Sequence, residues 1–250
     1  NMNLKKYINK LKRIFKYFSK RIGEKKDLTF YDKYWKENKT TTNDWNYGIN
    51  IVDNLVLNYN FKSVLDAGCG SGDVVRYLLS KGYDAKGIEL SGKVLEDYSS
   101  DLMKTGILQQ GSLLKLPFKD NEFDVVFSSE VLEHIDKKDI PQVVSELHRV
   151  CNNLIFMTIS LRPSSNFNKY HINLNSREWW ENQFLKYFLN KDIGIVKKLQ
   201  KIKKGADVKE IMELGPTLSH INEMQWFIEK PPYDLKGELE PWYFIFKKNE

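Results

Sequence analysis

Three glycines at alternate positions, Gly68, Gly70 and Gly72, follow the apolar start of "VLDAGCGSGD" (64–73) and precede a helical pattern. A strand that must turn at once into a helix around a ligand uses glycines in this way. A backbone without side chains adopts left-handed dihedrals and lets a bound group come close. A turn alone would need one glycine, or two. The G-x-G-x-G spacing departs from the dinucleotide fingerprint G-x-G-x-x-G, because Asp73 stands where the third glycine should fall. A P-loop is excluded as well, since no Gly-Lys-Ser/Thr follows.

From this loop onward the pattern alternates. Strands are expected at Ser63 to Asp66, Ala85 to Glu89, Ile107 to Gln110, Phe123 to Ser128 and Leu154 to Ile159. Helices are expected at Asp73 to Ser80, after Ser91 as N-cap, and from about Asp139 to Val150. Strands separated by helical patterns form βαβ units and a parallel sheet. The expected fold is α/β: a Rossmann-like, doubly wound sheet of about seven strands with N-terminal helices. Past residue 160, "NSREWWENQFLKYF" reads as a helix capped by Asn175 or Ser176, and "WYFIFKK" as an antiparallel C-terminal strand. The stretch between them, at about 200–240, holds Gly215-Pro216 and Pro231-Pro232 and reads as an insertion.

Charge separates the N-terminal stretch from the rest. Residues 1–26 carry ten Lys or Arg against one acid, Glu24, so a chain of net charge +6 has an acidic remainder. Leu4, Ile8, Leu11, Phe15, Phe18 and Ile22 recur at spacings of four and three in that stretch, with lysines opposite. The pattern is a basic amphipathic helix, suited to an anionic membrane surface, to a partner protein or to the chain's own core. Residues 27–60 form a helical lead-in or lid, and 61–250 the main domain. The two cysteines, Cys69 and Cys151, lie apart without a CxxC pair, which points to neither a disulfide framework nor a structural zinc. With no continuous apolar leader, the expectation is a cytoplasmic protein, peripheral to a membrane if residues 4–22 dock there.

Two carboxylates flank the glycine loop. Glu89 ends the strand after the loop, 23 residues beyond Asp66, the distance at which an α/β nucleotide site sets an acid against ribose hydroxyls. Asp66 precedes the glycines and suits an amine or cation. A ligand with a ribose and a positive charge but no phosphate fits this set, and S-adenosylmethionine has those features.

"VLDAGCGSG", "GIEL", "LPFKDNEFDVVFSSEVLEHI" and "ELHRV" occur in this order, and over roughly residues 61–160 the chain resembles the class I S-adenosylmethionine-dependent methyltransferases. The resemblance is to the small-molecule group with "LPF…FD" and "VLEHI" motifs. It implies that Asp66, Ala67, Gly68, Cys69 and Gly70 cradle the methionine end of the cofactor. It places Glu89 on the ribose, and Leu90 and Leu113 against the adenine. Where the family has Gly-Asp with the acid reaching the adenine amino group, this chain has Gly111-Ser112, a shorter and uncharged acceptor. Ser128, Ser129 and Glu130, expected just after the fourth strand, should face the methyl donor.

Methyl transfer from a sulfonium needs alignment, and a base only when the acceptor is a hydroxyl or a charged amine. His134 of "VLEHI" is the candidate base, against a structural role at the start of a helix. Glu130, Glu133, His134 and His171 form a two-carboxylate, two-imidazole set. It resembles the divalent-metal site of small-RNA 2′-O-methyltransferases and some quinone O-methyltransferases. The plainer reading, with no metal and with Glu133 on an outward helix face, is preferred here. Tyr31, Tyr34 and Trp35 are lid candidates, and Trp179 and Trp180 candidates for the acceptor pocket, with core packing the alternative. His148 and Arg149 close a helix where positive charge favours the dipole.

The expected function is O-methylation of a small-molecule or glycan-like acceptor. RNA 2′-O-methylation is the second enzymatic reading; the acidic body counts against nucleic acid, which demands a basic stripe near the site. A non-catalytic S-adenosylmethionine-binding regulator is the alternative of a different class, with Ser112 as its one hint.

Overall fold

The computed structural model describes residue 32, residues 47–161, 171–188, 190–191 and 243–248. The chain divides into two compact units, Asn1–Lys39 and Thr40–Glu250. The amphipathic stretch 4–22, the lid candidates Tyr31, Tyr34 and Trp35, and the insertion at 200–240 lie outside the described residues.

The second unit opens with helix α1 (Tyr47–Asn58), followed by β1 (Ser63–Ala67), α2 (Asp73–Ser80), β2 (Asp84–Glu89), α3 (Gly92–Lys104), β3 (Leu108–Gln110) and β4 (Phe123–Ser129). A 3₁₀ turn at Leu132–His134 leads to α4 (Ile140–Val150), β5 (Cys151–Thr158), α5 (Arg177–Phe184), β6 (Asn190–Lys191) and β7 (Tyr243–Lys247). The strands form one sheet in the order β3-β2-β1-β4-β5-β7-β6. The first five strands of that order pair in parallel. β7 runs antiparallel to both β5 and β6. The expected architecture, mostly parallel with an antiparallel final strand, is the one observed.

Local sequence accounts for most boundaries. Ser91 caps α3 by accepting the Val94 N–H at 3.3 Å, and Ser176 caps α5 by accepting that of Trp179 at 3.2 Å. Most strand ends shift by one residue from the sequence reading, and two features differ more. β5 begins at Cys151 and not Leu154, because α4 passes straight into it and Cys151 pairs with Phe123 across an irregularity in the β4 register. The two-residue β6 has no alternating apolar pattern and was not expected; it is held only by β7.

Alternation along the central strands sorts the core onto two faces. Leu65, Ala67, Val126, Ile155, Met157, Phe244 and Phe246 join the apolar stripe of α4 (Ile140, Val143, Val144, Leu147, Val150) and Trp180 and Phe184 of α5. Intervening residues such as Val64, Val125, Phe127 and Phe156 point the other way, the side on which α1 and α2 bury Ile51, Val52, Leu55, Val75 and Leu78. β7 is fixed by aromatic stacking: Phe246 lies 4.8 Å from Phe184, ring to ring at 14°, and 6.2 Å from Phe188. Since Phe246 is wholly buried, Phe246→Ala is expected to cost about 3–5 kcal/mol of stability, measured by urea denaturation. A loss of under about 1 kcal/mol would mean that β7 contributes little to the sheet.

Candidate functional site

The strand order reverses between β1 and β4, since the chain runs outward through β2 and β3 and then crosses back. In an open parallel sheet the carboxyl ends of those two strands border a crevice. The glycine loop leaves β1 there, Glu89 ends β2 beside it, and Ser129 and Glu130 end β4.

The loop is built from left-handed backbone: Gly68, Gly70 and Gly72 have φ of 89°, 51° and 81°. At Gly68 a Cβ would lie 2.5 Å from Val131 Cγ2, and at Gly72, the N-cap of α2, 2.5 Å from Leu108 Cδ1. Gly68 therefore excludes a side chain on steric as well as conformational grounds, and Gly72 on conformational grounds, since the Leu108 methyl can shift. The amides of Gly68 and Cys69 both donate to the Ile88 carbonyl, at 2.9 and 3.0 Å, which draws the loop against β2.

Glu89 completes that attachment. Its carboxylate accepts the Gly70 N–H at 3.0 Å on Oε2 and the Ser91 N–H at 2.9 Å on Oε1. One side chain thus bridges the glycine loop and the start of α3. Asp66 is 4% exposed on β1. Burial, and secondarily the charge of Glu89, pushes its carboxyl from 3.8 up to about 8. Burial likewise pushes the Cys69 thiol well above its ordinary range, so this cysteine behaves as an inert apolar group. Ala67 is fully buried, Leu90 half-buried.

The adenine-side candidates have local work as well. Ser112 Oγ accepts the Leu114 N–H at 3.2 Å and Ser112 makes an isolated bridge with Lys115, a turn-forming role. Leu113 is partly buried against the core. Sequence reading missed what organises this loop. The Arg149 guanidinium donates to the carbonyls of Leu116 (3.0 Å) and Phe118 (2.7 Å) and pairs with Glu146 and Asp120. Glu146 in turn accepts the Leu116 N–H at 2.7 Å. "ELHRV" thus clamps "LPF" across some thirty positions, a linkage beyond a helix-dipole role and invisible to local periodicity.

On the β4 side, the strand runs through Ser129, so Ser128 and Ser129 belong to it and do not follow it. Ser128 is fully buried and donates to the Ala67 carbonyl at 2.7 Å, tying β4 to the root of the glycine loop. Ser129 Oγ lies 3.0 Å from Thr158 Oγ1. Glu130 then takes φ 57°, left-handed for a residue with a side chain. Such strain costs of order 1–3 kcal/mol and collects at functional sites.

This turn re-aims everything after it. Glu133 is 0% exposed, which corrects the expectation of an outward helix face. The segment is a 3₁₀ turn following a left-handed residue, so α-helical spacing does not describe it. Glu133 Oε1 accepts the Ser160 N–H at 2.9 Å, while Oε2 is buried with no hydrogen-bond partner among the described residues. Its backbone carbonyl accepts the N–H of both Ile172 and Asn173 at 3.0 Å, which seats His171 alongside. The His134 and His171 rings meet edge to face at 5.0 Å. Burial and nearby Glu130 push the Glu133 carboxyl well above its ordinary range. Two further residues here escaped sequence reading: Asn173, 2% exposed, whose Nδ2 has no hydrogen-bond partner among the described residues, and Tyr243, whose hydroxyl is pushed up to about 12 chiefly by burial. Trp179 is packed partly against the core, its ring 4.7 Å from Lys137 Nζ and 4.9 Å from that of the fully buried Trp180, so both stand foremost in packing.

Asp66 has a consequence for stability. Its folded carboxyl holds a proton that the unfolded chain releases between about pH 4 and 8, so stability falls as pH rises through that window. Asp66→Asn removes the penalty. The variant is expected to melt close to wild type at low pH and progressively above it towards pH 8; parallel curves would show Asp66 already ionised in the folded protein.

Residues 65–154 match the methyltransferase-domain family. The chain is 42% identical over 95 residues to a probable chloroplastic tocopherol O-methyltransferase of Oryza sativa subsp. japonica, covering 36% of this chain and 26% of that one. It is 27% identical over 124 residues to a ubiquinone biosynthesis O-methyltransferase of Nitrosomonas europaea, covering 47% and 52%. The chain thus spans between about a quarter and about half of the length of these relatives. Its fold resembles Haemonchus contortus phosphoethanolamine N-methyltransferase 2 in complex with S-adenosyl-L-methionine, with TM-score 0.52, 18% identity, and 82% of this chain and 53% of that one covered. Strand order, glycine loop and matched sequence agree: residues 65–154 of this chain form a methyltransferase domain.

Proposed function

We propose that the chain transfers the methyl group of S-adenosylmethionine to a hydroxyl oxygen of a small molecule, phenolic or glycan-like. The observation that carries this reading is the convergence of candidate site groups at the carboxyl ends of β1, β2 and β4. Asp66, the glycine loop and Glu89 lie at the β1 and β2 ends, Glu130 follows β4, and Glu133, His134 and His171 cluster beyond it.

In this reading Asp66 pairs with the positive charge of the cofactor, Glu89 takes the ribose, and Leu90, Ser112 and Leu113 border the adenine. Ser129 and Glu130 border the methyl donor. The acceptor oxygen forms its bond to the methyl carbon as the S–CH₃ bond breaks, its electron pair returning to sulfur. The hydroxyl proton leaves towards the cluster around His134. Relatives named as tocopherol and ubiquinone O-methyltransferases support an oxygen acceptor. RNA is disfavoured, because the groups bordering the crevice are mostly carboxylates, which repel phosphates.

Titration calorimetry tests the first step. Since Asp66 is protonated up to about pH 8, pairing it with a cation expels a proton. S-Adenosylmethionine is therefore expected to bind with uptake of a proton by the buffer at pH 7. Affinity should rise towards pH 8 and then level off, and Asp66→Asn should abolish the linkage. No binding would end the methyltransferase reading. Binding without S-adenosylhomocysteine formation across phenols and polyols would favour a non-catalytic regulator. For residues 4–22, docking on an anionic membrane predicts that the full chain co-sediments with anionic vesicles while a truncation starting at Asp27 does not. Equal sedimentation would remove that role.

A further inference from the structure

We infer that Gln142, Glu146 and Arg149 of α4 are positioning residues for the cofactor: they hold the segment Ser112–Phe118 and through it set where Leu113 meets the adenine. The inference rests on the methyltransferase reading for its ligand, while the contacts belong to the fold itself. Spacings of four and three put the three residues on one face of α4, where they cover about 10 Å of the helix. They lie beside the apolar stripe of Ile140, Val143 and Leu147 that enters the core. Each meets the backbone of the segment. Gln142 Nε2 donates to the Leu114 carbonyl at 3.2 Å, and Glu146 Oε2 accepts the Leu116 N–H at 2.7 Å. Arg149 donates to the carbonyls of Leu116 and Phe118 at 3.0 and 2.7 Å. The rungs thus run in the same order along helix and segment.

The other end of the segment is fixed at the cradle. The Gly111 N–H donates to the Glu89 carbonyl at 2.9 Å, and the side chain of that same Glu89 bonds the Gly70 and Ser91 amides. Between the two anchors the chain makes one tight turn. The Lys115 N–H donates to the Ser112 carbonyl at 3.2 Å, and Ser112 Oγ accepts the Leu114 N–H. Leu113 sits in that turn, only partly buried against the core. Held at one end the turn could swing; held at both, it presents Leu113 in one place before any ligand arrives, which is preorganisation for binding.

Arg149 is the strongest rung. Nε and Nη2 reach the two oxygens of Glu146, each at 2.8 Å, Nη1 reaches Asp120 and the Phe118 carbonyl, and Nη2 also takes the Leu116 carbonyl. The five N–H donors of a guanidinium are all used. Hydrogen bonding from Arg149, before all else, holds the Glu146 carboxyl below its ordinary range, so the pair stays charged. Lysine offers three donors around a point charge and cannot fork in this way, so Arg149→Lys keeps the charge and breaks the rungs. A segment released from α4 is part of the time in arrangements that do not close on the adenine. Apparent affinity then falls in proportion to the fraction still in place.

The full chain is titrated calorimetrically with S-adenosylhomocysteine as wild type, Arg149→Lys, Leu113→Ala and the double variant. Arg149→Lys is expected to lower affinity about tenfold, and Gln142→Ala, at the exposed end of the ladder, about threefold. Leu113→Ala lowers affinity as well. In its background Arg149→Lys is expected to cause little further loss, because the side chain it positions is gone. A purely structural role lowers affinity by the same factor in both backgrounds, and that additivity overturns the inference. Urea denaturation checks that each variant is folded under the conditions of titration; Gln142→Ala takes the place of Arg149→Lys in the cycle if the lysine variant does not fold. Equal affinity of wild type and the folded rung variant overturns the positioning role and leaves the methyltransferase reading standing. Absence of binding by wild type ends that reading and the positioning role with it.

Discussion

The bond pair between the Glu89 carboxylate and the amides of Gly70 and Ser91 is the interaction on which the site depends. Three left-handed glycines have no reason of their own to hold one arrangement, because glycine surrenders more backbone freedom on ordering than any other residue. The carboxylate supplies the reason. It spans from the loop after β1 to the N-cap region of α3, and the Ile88 carbonyl takes two more loop amides beside it. The cradle, the nearby strand end and the helix start are consequently one rigid object. Ser128, bonded to the Ala67 carbonyl, attaches β4 to that same object.

Much of this was legible in the sequence, for a physical reason. Strand and helix periods, the Ser91 and Ser176 caps, the glycine spacing and the distance from Asp66 to Glu89 are all short-range properties. Parallel pairing then places their ends on one edge of the sheet. What escaped was set by long-range contact. Arg149 looked like a cation at a helix end, whereas it grips backbone carbonyls from a loop about thirty residues earlier. Glu133 looked like a surface residue because "SSEVLEHI" suggests a continuing helix. The left-handed turn at Glu130 breaks that period and sends the next carboxylate inward. Asn173 and Tyr243 come from distant parts of the chain, and nothing in their own neighbourhoods marks them as site residues.

The two halves of the crevice manage charge differently. On the β1 and β2 side, burial, and secondarily the charge of Glu89, raises the Asp66 carboxyl to about 8. Beyond β4, Glu130 and Glu133 repeat the arrangement, with two imidazoles at hand. In the proposed reading, the positive charge of the cofactor relieves that electrostatic strain on the β1 and β2 side. A protein with this layout is less comfortable empty than filled, and ligand binding should show as a gain in rigidity and melting temperature.

The placement of β7 bears on how the chain reaches this state. It lies between β5 and β6, yet about fifty residues separate it from β6 along the chain. Until that distant strand arrives, β5 presents a row of unpaired peptide groups beside Ile155 and Met157, and the short β6 has nothing to join. A growing chain would thus carry an open, apolar sheet edge for several seconds at ordinary rates of synthesis, on the order of 5–20 residues per second. The vulnerable interval for this protein is the time before β7 is made, when a chaperone or a neighbouring chain could occupy the β5 edge first.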